Sequence, residues 1–175
     1  RPSGSKTILP AKIAVDSVGN LYVTTTETAT PDFVFTCPAP ISSAAYITKI
    51  SSDGSSTIFA GNSGLGFVDG LGSQARFEYI TSIAIDSSDN LYVADARNGA
   101  ARRISPQGLV TTVVGQRPGT VTSGASLTLG NLPGVVPYLD EVTVRPLSTL
   151  FITANNHTLT NPATSARVIL KAEPR

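Results

Sequence analysis

The sequence predicts an all-β chain assembled from repeated antiparallel hairpins, and three observations carry that prediction. Residues 13–23 read IAVDSVGNLYV and residues 83–93 read IAIDSSDNLYV, the same segment twice. A worn third copy, VTVRPLSTLFI, occupies 142–152. Within each of the first two copies apolar residues alternate at the period of a strand, and a Ser/Asp/Gly/Asn cluster interrupts them where a turn belongs. Units of this kind cannot bury their apolar faces alone, so neighbouring copies must stack.

The elements follow in order. Ile13 and Val15 point to one side of a short strand, Ala14 and Asp16 to the other. Ser17-Val18-Gly19-Asn20 makes the turn and Leu21-Tyr22-Val23 the returning strand; in the second copy Ser87-Ser88-Asp89-Asn90 takes the turn. A further hairpin comes next: Ile47–Ile50, the turn Ser51-Ser52-Asp53-Gly54, and Ser56–Gly61. Its counterpart is Arg102–Ile104, Ser105-Pro106-Gln107-Gly108 and Val110–Gly115. Arg167–Lys171 supplies another strand to the third copy, for about eleven strands and no helix. Two insertions, Thr24–Ala45 with its Pro-bracketed aromatics and the Gly/Pro/Thr/Ser-rich Gln116–Tyr138, read as long loops gathered on one face.

Bulk properties narrow the function classes. A length of 175 residues permits one domain with a substantial core, and 41% apolar against 14% charged residues is a globular composition. Thirteen basic and twelve acidic side chains, with no basic run, argue against a nucleic-acid partner, which needs clustered Lys and Arg. No apolar run approaches the ~18 residues of a membrane span. The chain starts at Arg1 and has no Met, as expected of a processed piece of a longer precursor. The lone cysteine, Cys37, excludes an internal disulfide framework; it reads as an inert thiol, with an intermolecular disulfide as the alternative.

From Ile50 onward the chain reads Ile50-Ser51-Ser52-Asp53-Gly54, Phe59-Ala60-Gly61, Gly66-Phe67-Val68-Asp69-Gly70, Ala75-Arg76-Phe77, and Ile83 through Asp95. In that order these segments resemble the repeat of the NHL-repeat β-propellers. The resemblance implies four-stranded antiparallel blades set radially about a channel. This chain would supply about three of them, at roughly 11–55, 56–109 and 110–175, and so an incomplete ring. The third copy departs from the pattern, with Arg145 at the place of Asp86 and Ala154 at that of Asp95. An open ring leaves blade faces and strand edges to be covered, by other copies of the chain or by missing blades of a longer parent.

Candidate chemistry is sparse. Asp16 and Asp86 invite a metal or acid/base role, because related propeller lactonases and lyases hold metals near the axis; the competing expectation is that each caps the turn after its strand. Asp69-Gly70 and Gly72 read as a turn, since no helix follows to complete a phosphate loop. His157, the single histidine, falls in the polar stretch Asn155–Ala166 and reads as a solvated loop residue. Arg76 is expected to brace the blade, while Arg102 and Arg103 face opposite sides of one strand. Neither a catalytic set nor a cofactor or metal site emerges. Asn156-His157-Thr158 is an N-glycosylation sequon with Asn156 as acceptor. Thr158 and Thr160, with Thr28 and Thr30, belong to Thr-rich stretches resembling O-glycan acceptors.

These readings converge on a non-enzymatic, secreted or surface-exposed structural or adhesive protein. It would be glycosylated and self-associating, with copies of itself, missing blades or glycans as partners. A protein- or glycan-binding module and a fragment of a lactonase- or lyase-like enzyme are the alternatives.

Overall fold

The structure is a computed structural model that describes residues 6–29, 43–62, 64–115, 139–145, 149–155 and 167–172. Its strands are β1 Lys6–Val15, β2 Leu21–Ala29, β3 Ser43–Ile50, β4 Ser56–Gly61, β5 Gly70–Leu71, β6 Ile80–Ile85, β7 Leu91–Asp95, β8 Ala100–Ile104, β9 Leu109–Val114, β10 Leu139–Arg145, β11 Thr149–Asn155 and β12 Arg167–Ala172. Single 3-10 turns at Gly72–Gln74 and Ala96–Asn98 join them. Among the described residues no helix is long and apolar enough to cross a membrane.

Three antiparallel sheets result, ordered β1-β2-β3-β4, β5-β9-β8-β7-β6 and β10-β11-β12. Short turns dictate this order. Ser51 N–H donates to the Ser55 carbonyl at 2.9 Å and Gly54 N–H to that of Ser51, and Ser105 and Gly108 repeat the pattern. A turn this tight can only lay the returning strand beside the one before it. For that reason β4 closes the first sheet and β9 stays in the second. The sheets span 6–61, 70–114 and 139–172, a different division from the units 11–55, 56–109 and 110–175 expected from the repeat.

Neighbouring sheets meet chiefly through their first strands, β1 against β6 and β6 against β10. The arrangement is that of propeller blades, and the described sheets form an open arc rather than a closed ring. The all-β, four-stranded repeat plan expected from the sequence is therefore present. The second sheet also carries the two-residue β5 on its outer edge, and β10–β12 supply the three described strands of the third.

Part of the stretch read as a loop is strand. β2 runs on to Ala29 and pairs with β3 through Thr28↔Ser43, because its β-branched threonines favour extended backbone. Thr24, Thr25 and Thr26 are buried there, and Thr24 Oγ1 accepts from the Lys12 N–H at 3.1 Å.

The strand period divides the core. Leu91 and Val93 join Ile104, Val110 and Phe77 against Ala14, Tyr22, Ala45, Ile47 and Ala60 of the first sheet. Tyr92, Ala94, Ala101 and Val114 face the other way, onto Val142, Leu150 and Ile152 of the third. β7 is consequently buried along its whole length, as a strand covered on both faces must be.

Gly61 and Gly115 end corresponding strands with φ of +83° and +101°. A Cβ on Gly61 would lie 2.8 Å from both the Ala45 carbonyl oxygen and Phe77 Cδ2; one on Gly115 would lie 2.7 Å from Ala100 Cα. Both positions need glycine for backbone conformation and for space.

Candidate functional site

The aspartate that ends the first strand of each intact repeat organises the turn after it. Asp16 Oδ1 accepts the backbone N–H groups of Val18 at 3.1 Å and Asn20 at 2.8 Å. Its Oδ2 accepts Asn20 Nδ2 at 2.7 Å and Tyr22 Oη at 3.2 Å. Asp86 does the same with the N–H groups of Ser88 and Asn90, both at 2.9 Å, with Asn90 Nδ2, and with Tyr92 Oη at 3.2 Å. Burial works to raise both carboxyls, but the hydrogen bonds from Asn20 and Asn90, then those from the turn amides and the tyrosines, hold them below the usual range. In return burial, and then the Asp16 charge, push the Tyr22 phenol up to about 12. Of the two expectations for Asp16 and Asp86, this is the geometry of turn capping.

The two turns also touch. Asp89 adopts φ +59°, the left-handed region, where the first copy has Gly19. From there its carboxylate accepts the Ser17 N–H at 2.9 Å and Ser17 Oγ at 2.6 Å, joining the first and second sheets at one end.

A second network lies inside the middle sheet, around Arg102, which is fully buried. Its guanidinium donates to Asp69 Oδ1 from Nε at 3.2 Å and from Nη2 at 2.6 Å, to the Val68 carbonyl at 2.7 Å and to the Arg76 carbonyl at 3.3 Å. Nη1 reaches Asp95 Oδ2 at 3.2 Å. The rings of Phe67 and Phe77 lie 4.7 and 5.2 Å from the guanidinium carbon, so hydrogen bonds and π faces together replace its water. Asp95 also accepts Asn98 Nδ2 at 2.7 Å and the Glu78 N–H at 3.1 Å. Burial pushes its carboxyl up to about 6, against the pull of Asn98, the Glu78 amide and Arg102. Asp69, half-exposed, accepts the Thr112 N–H and Oγ1 at 3.0 and 3.1 Å.

Arg102 is therefore the brace, and it ties together Phe67, Asp69, Phe77 and Asp95 of the resemblance pattern. Arg76, expected in that role, folds its guanidinium back on the Ser73 and Ala75 carbonyls and offers Arg102 only its backbone oxygen. Arg103 lies on the opposite side, as expected, and donates to Asn90 Oδ1 at 2.8 Å. Strand alternation separated the two arginines without saying which was buried. The missed signal was a pair of aspartates, Asp69 and Asp95, in apolar surroundings that call for a cation.

Of the modification candidates, Thr28 is placed on β2 between Thr7 of β1 and Ser43 of β3, a paired strand where a loop was expected. Thr30, Cys37, Asn156, His157, Thr158 and Thr160 lie outside the described residues. Among the described residues no three His, Cys, Asp or Glu side chains are grouped to hold a metal ion.

No protein-family model and no curated protein matches the chain in sequence. Solved structures share its fold. A protein of unknown function from Bacteroides thetaiotaomicron aligns at TM-score 0.51 and 18% identity over 80% of this chain and 43% of that one. A phosphatase candidate from the same organism aligns at 0.51 and 13% over 94% and 48%, and a gluconolactonase candidate at 0.45 and 15% over 94% and 49%. Such identities show fold alone. The repeated sheets stacked face to face make this a β-propeller chain. It spans less than half the length of each of these three structures.

Proposed function

We propose that this chain is a non-enzymatic segment of an NHL-type propeller that works by self-association in a secreted or surface-exposed structure. The observation that supports self-association is the outer face of the first sheet, where Ile13, Val15 and Ile58 are 63%, 50% and 56% exposed. Apolar side chains set together on a sheet face are the mark of an interface. A structural role accords with Asp16, Asp86 and Asp95, whose carboxylates are committed to turns and to Arg102. The NHL assignment draws on Asp69, Phe77 and Asp95, pattern residues that all meet at Arg102. Secretion and glycosylation draw on the Asn156 sequon and the Thr-rich stretch around Thr158 and Thr160.

The test is to secrete the chain from a glycosylating host, then measure solution mass by light scattering beside intact mass. The expected result is a species larger than one chain, carrying hexose mass that disappears in Asn156→Gln. A bare monomer at every concentration would overturn the proposal.

A further inference from the structure

The second sheet finishes its outer edge with backbone from elsewhere in the chain. Along β9 the Gly108 carbonyl accepts the Gly72 N–H at 2.9 Å and Val110 pairs with Gly70. The Thr112 N–H donates to Asp69 Oδ2 at 3.0 Å. Gly108, Val110 and Thr112 thus turn these groups away from β8, and β5 with the Asp69 side chain answers them.

The first sheet has the same edge without that cover. The register Ile50↔Ser56, Lys49↔Thr57, Thr48↔Ile58 repeats Ile104↔Val110, Arg103↔Thr111, Arg102↔Thr112. Gly54, Ser56 and Ile58 therefore stand at the places of Gly108, Val110 and Thr112. The Ser55 carbonyl accepts the Ser51 N–H on the β3 side. Alternation then aims the Gly54 carbonyl, both Ser56 backbone groups and the Ile58 N–H outward. Among the described residues no strand pairs with this edge, and Ser56, Thr57 and Ile58 are exposed along it. From Gly54 to Gly61 there is no charged residue and no proline, the devices that keep an edge from pairing.

We infer that the outer edge of β4 pairs with the same edge of a second copy of this chain, antiparallel about a two-fold axis through Ser56. This rests on the self-association proposed above and names the strand that makes it. The order of the outward groups selects a second copy as occupant. Along the strand they run acceptor, donor with acceptor, donor, and a two-fold axis at Ser56 brings each onto its complement. Ser56 N–H meets the partner's Ser56 carbonyl and Ile58 N–H meets the partner's Gly54 carbonyl, each contact made twice by symmetry. The uncharged side chains of Ser55, Ser56, Thr57 and Ile58 bring no like charges together across the axis. The register shift past Ile58 ends the pairing stretch there.

The experiment is sedimentation of the full chain and single variants, with circular dichroism to confirm folding. The expected result is a wild-type dimer, weakened at least ~10-fold by Ser56→Pro, which deletes the central donor and leaves the bonds to β3 in place. Ser56→Lys sets two ammonium groups opposite each other at the axis and gives the same loss if Ser56→Pro does not fold. Leu109→Lys, on the covered edge of the second sheet, leaves the dimer unchanged, as does Ile13→Glu on β1, at the far edge of the first. Wild-type-like association of both Ser56 variants, with loss only in Ile13→Glu, would place the contact on the sheet face and overturn the edge pairing. A monomeric wild type would instead remove the self-association on which the inference rests.

Discussion

Arg102 and Asp95 face each other at 3.2 Å with both side chains sealed from solvent, seven residues apart on adjacent strands. Such a pair costs desolvation on both sides, so its main effect is to make either partner indispensable to the other. Asp69 shares the guanidinium from a half-exposed position and cannot replace a fully buried counter-charge.

Arg102→Met should accordingly destabilise the chain by about 3–5 kcal/mol, because it strands the Asp95 carboxylate in the core. Adding Asp95→Asn should recover part of that loss, with a coupling of more than ~1 kcal/mol in a urea-unfolding double-mutant cycle. Strict additivity would show that the two groups do not depend on each other.

Two aspartates should titrate with opposite effects on stability. Asp86 has a depressed folded pKa, so its contribution is present above the unfolded value of 3.8 and is lost as pH falls through the folded one. Asp95 is raised to about 6, so its contribution is full below 3.8 and is lost as pH rises through 6. Wild type should therefore lose its advantage over Asp86→Asn on acidification below pH 4. Over Asp95→Asn it should gain by roughly 2 kcal/mol between pH 6 and 4. Parallel pH profiles for the two variants would contradict this assignment.

Equal substitutions at glycines should have unequal costs. Gly61→Ala meets backbone and the Phe77 ring at 2.8 Å and should lose more than ~3 kcal/mol. Gly19→Ala has φ +89° but no atom within 4 Å, and should lose about 1 kcal/mol, the backbone term alone. Thermal unfolding of the two variants would separate clash from conformation.

Asp89 combines a strained backbone with a useful side chain. Asp89→Gly relieves the left-handed conformation while deleting both bonds to Ser17, so its net effect should stay within about 1 kcal/mol. Asp89→Ala keeps the strain and loses the bonds, and should be the less stable of the two by roughly 1 kcal/mol. The reverse order would mean that the left-handed backbone at residue 89 carries no strain.

The repeat made the hairpins and the Asp16 and Asp86 caps legible, because turn chemistry is local and period-two patterning survives in any strand. The Arg102 network was not legible in the same way. Its members come from residues 67–69, 76–77, 95 and 102, brought together by a two-residue strand and a 3-10 connector whose path no periodicity reveals. The extent of β2 was missed for another reason. A threonine run suits a solvated loop or a buried strand equally, and its neighbours across the sheet decided between them.

The third repeat lacks Asp16's counterpart and Tyr22's counterpart together, carrying Arg145 and Phe151, with Thr149 at the place of Asn20. A phenol whose acceptor has gone is a liability, and an acceptor without its phenol is half a device. The hydroxyl and its carboxylate are thus present together or absent together in the three repeats. A graft of the second hairpin onto the third would carry Asp, Asn and Tyr in a single step, since carboxylate, amide and phenol bond one another in both intact copies.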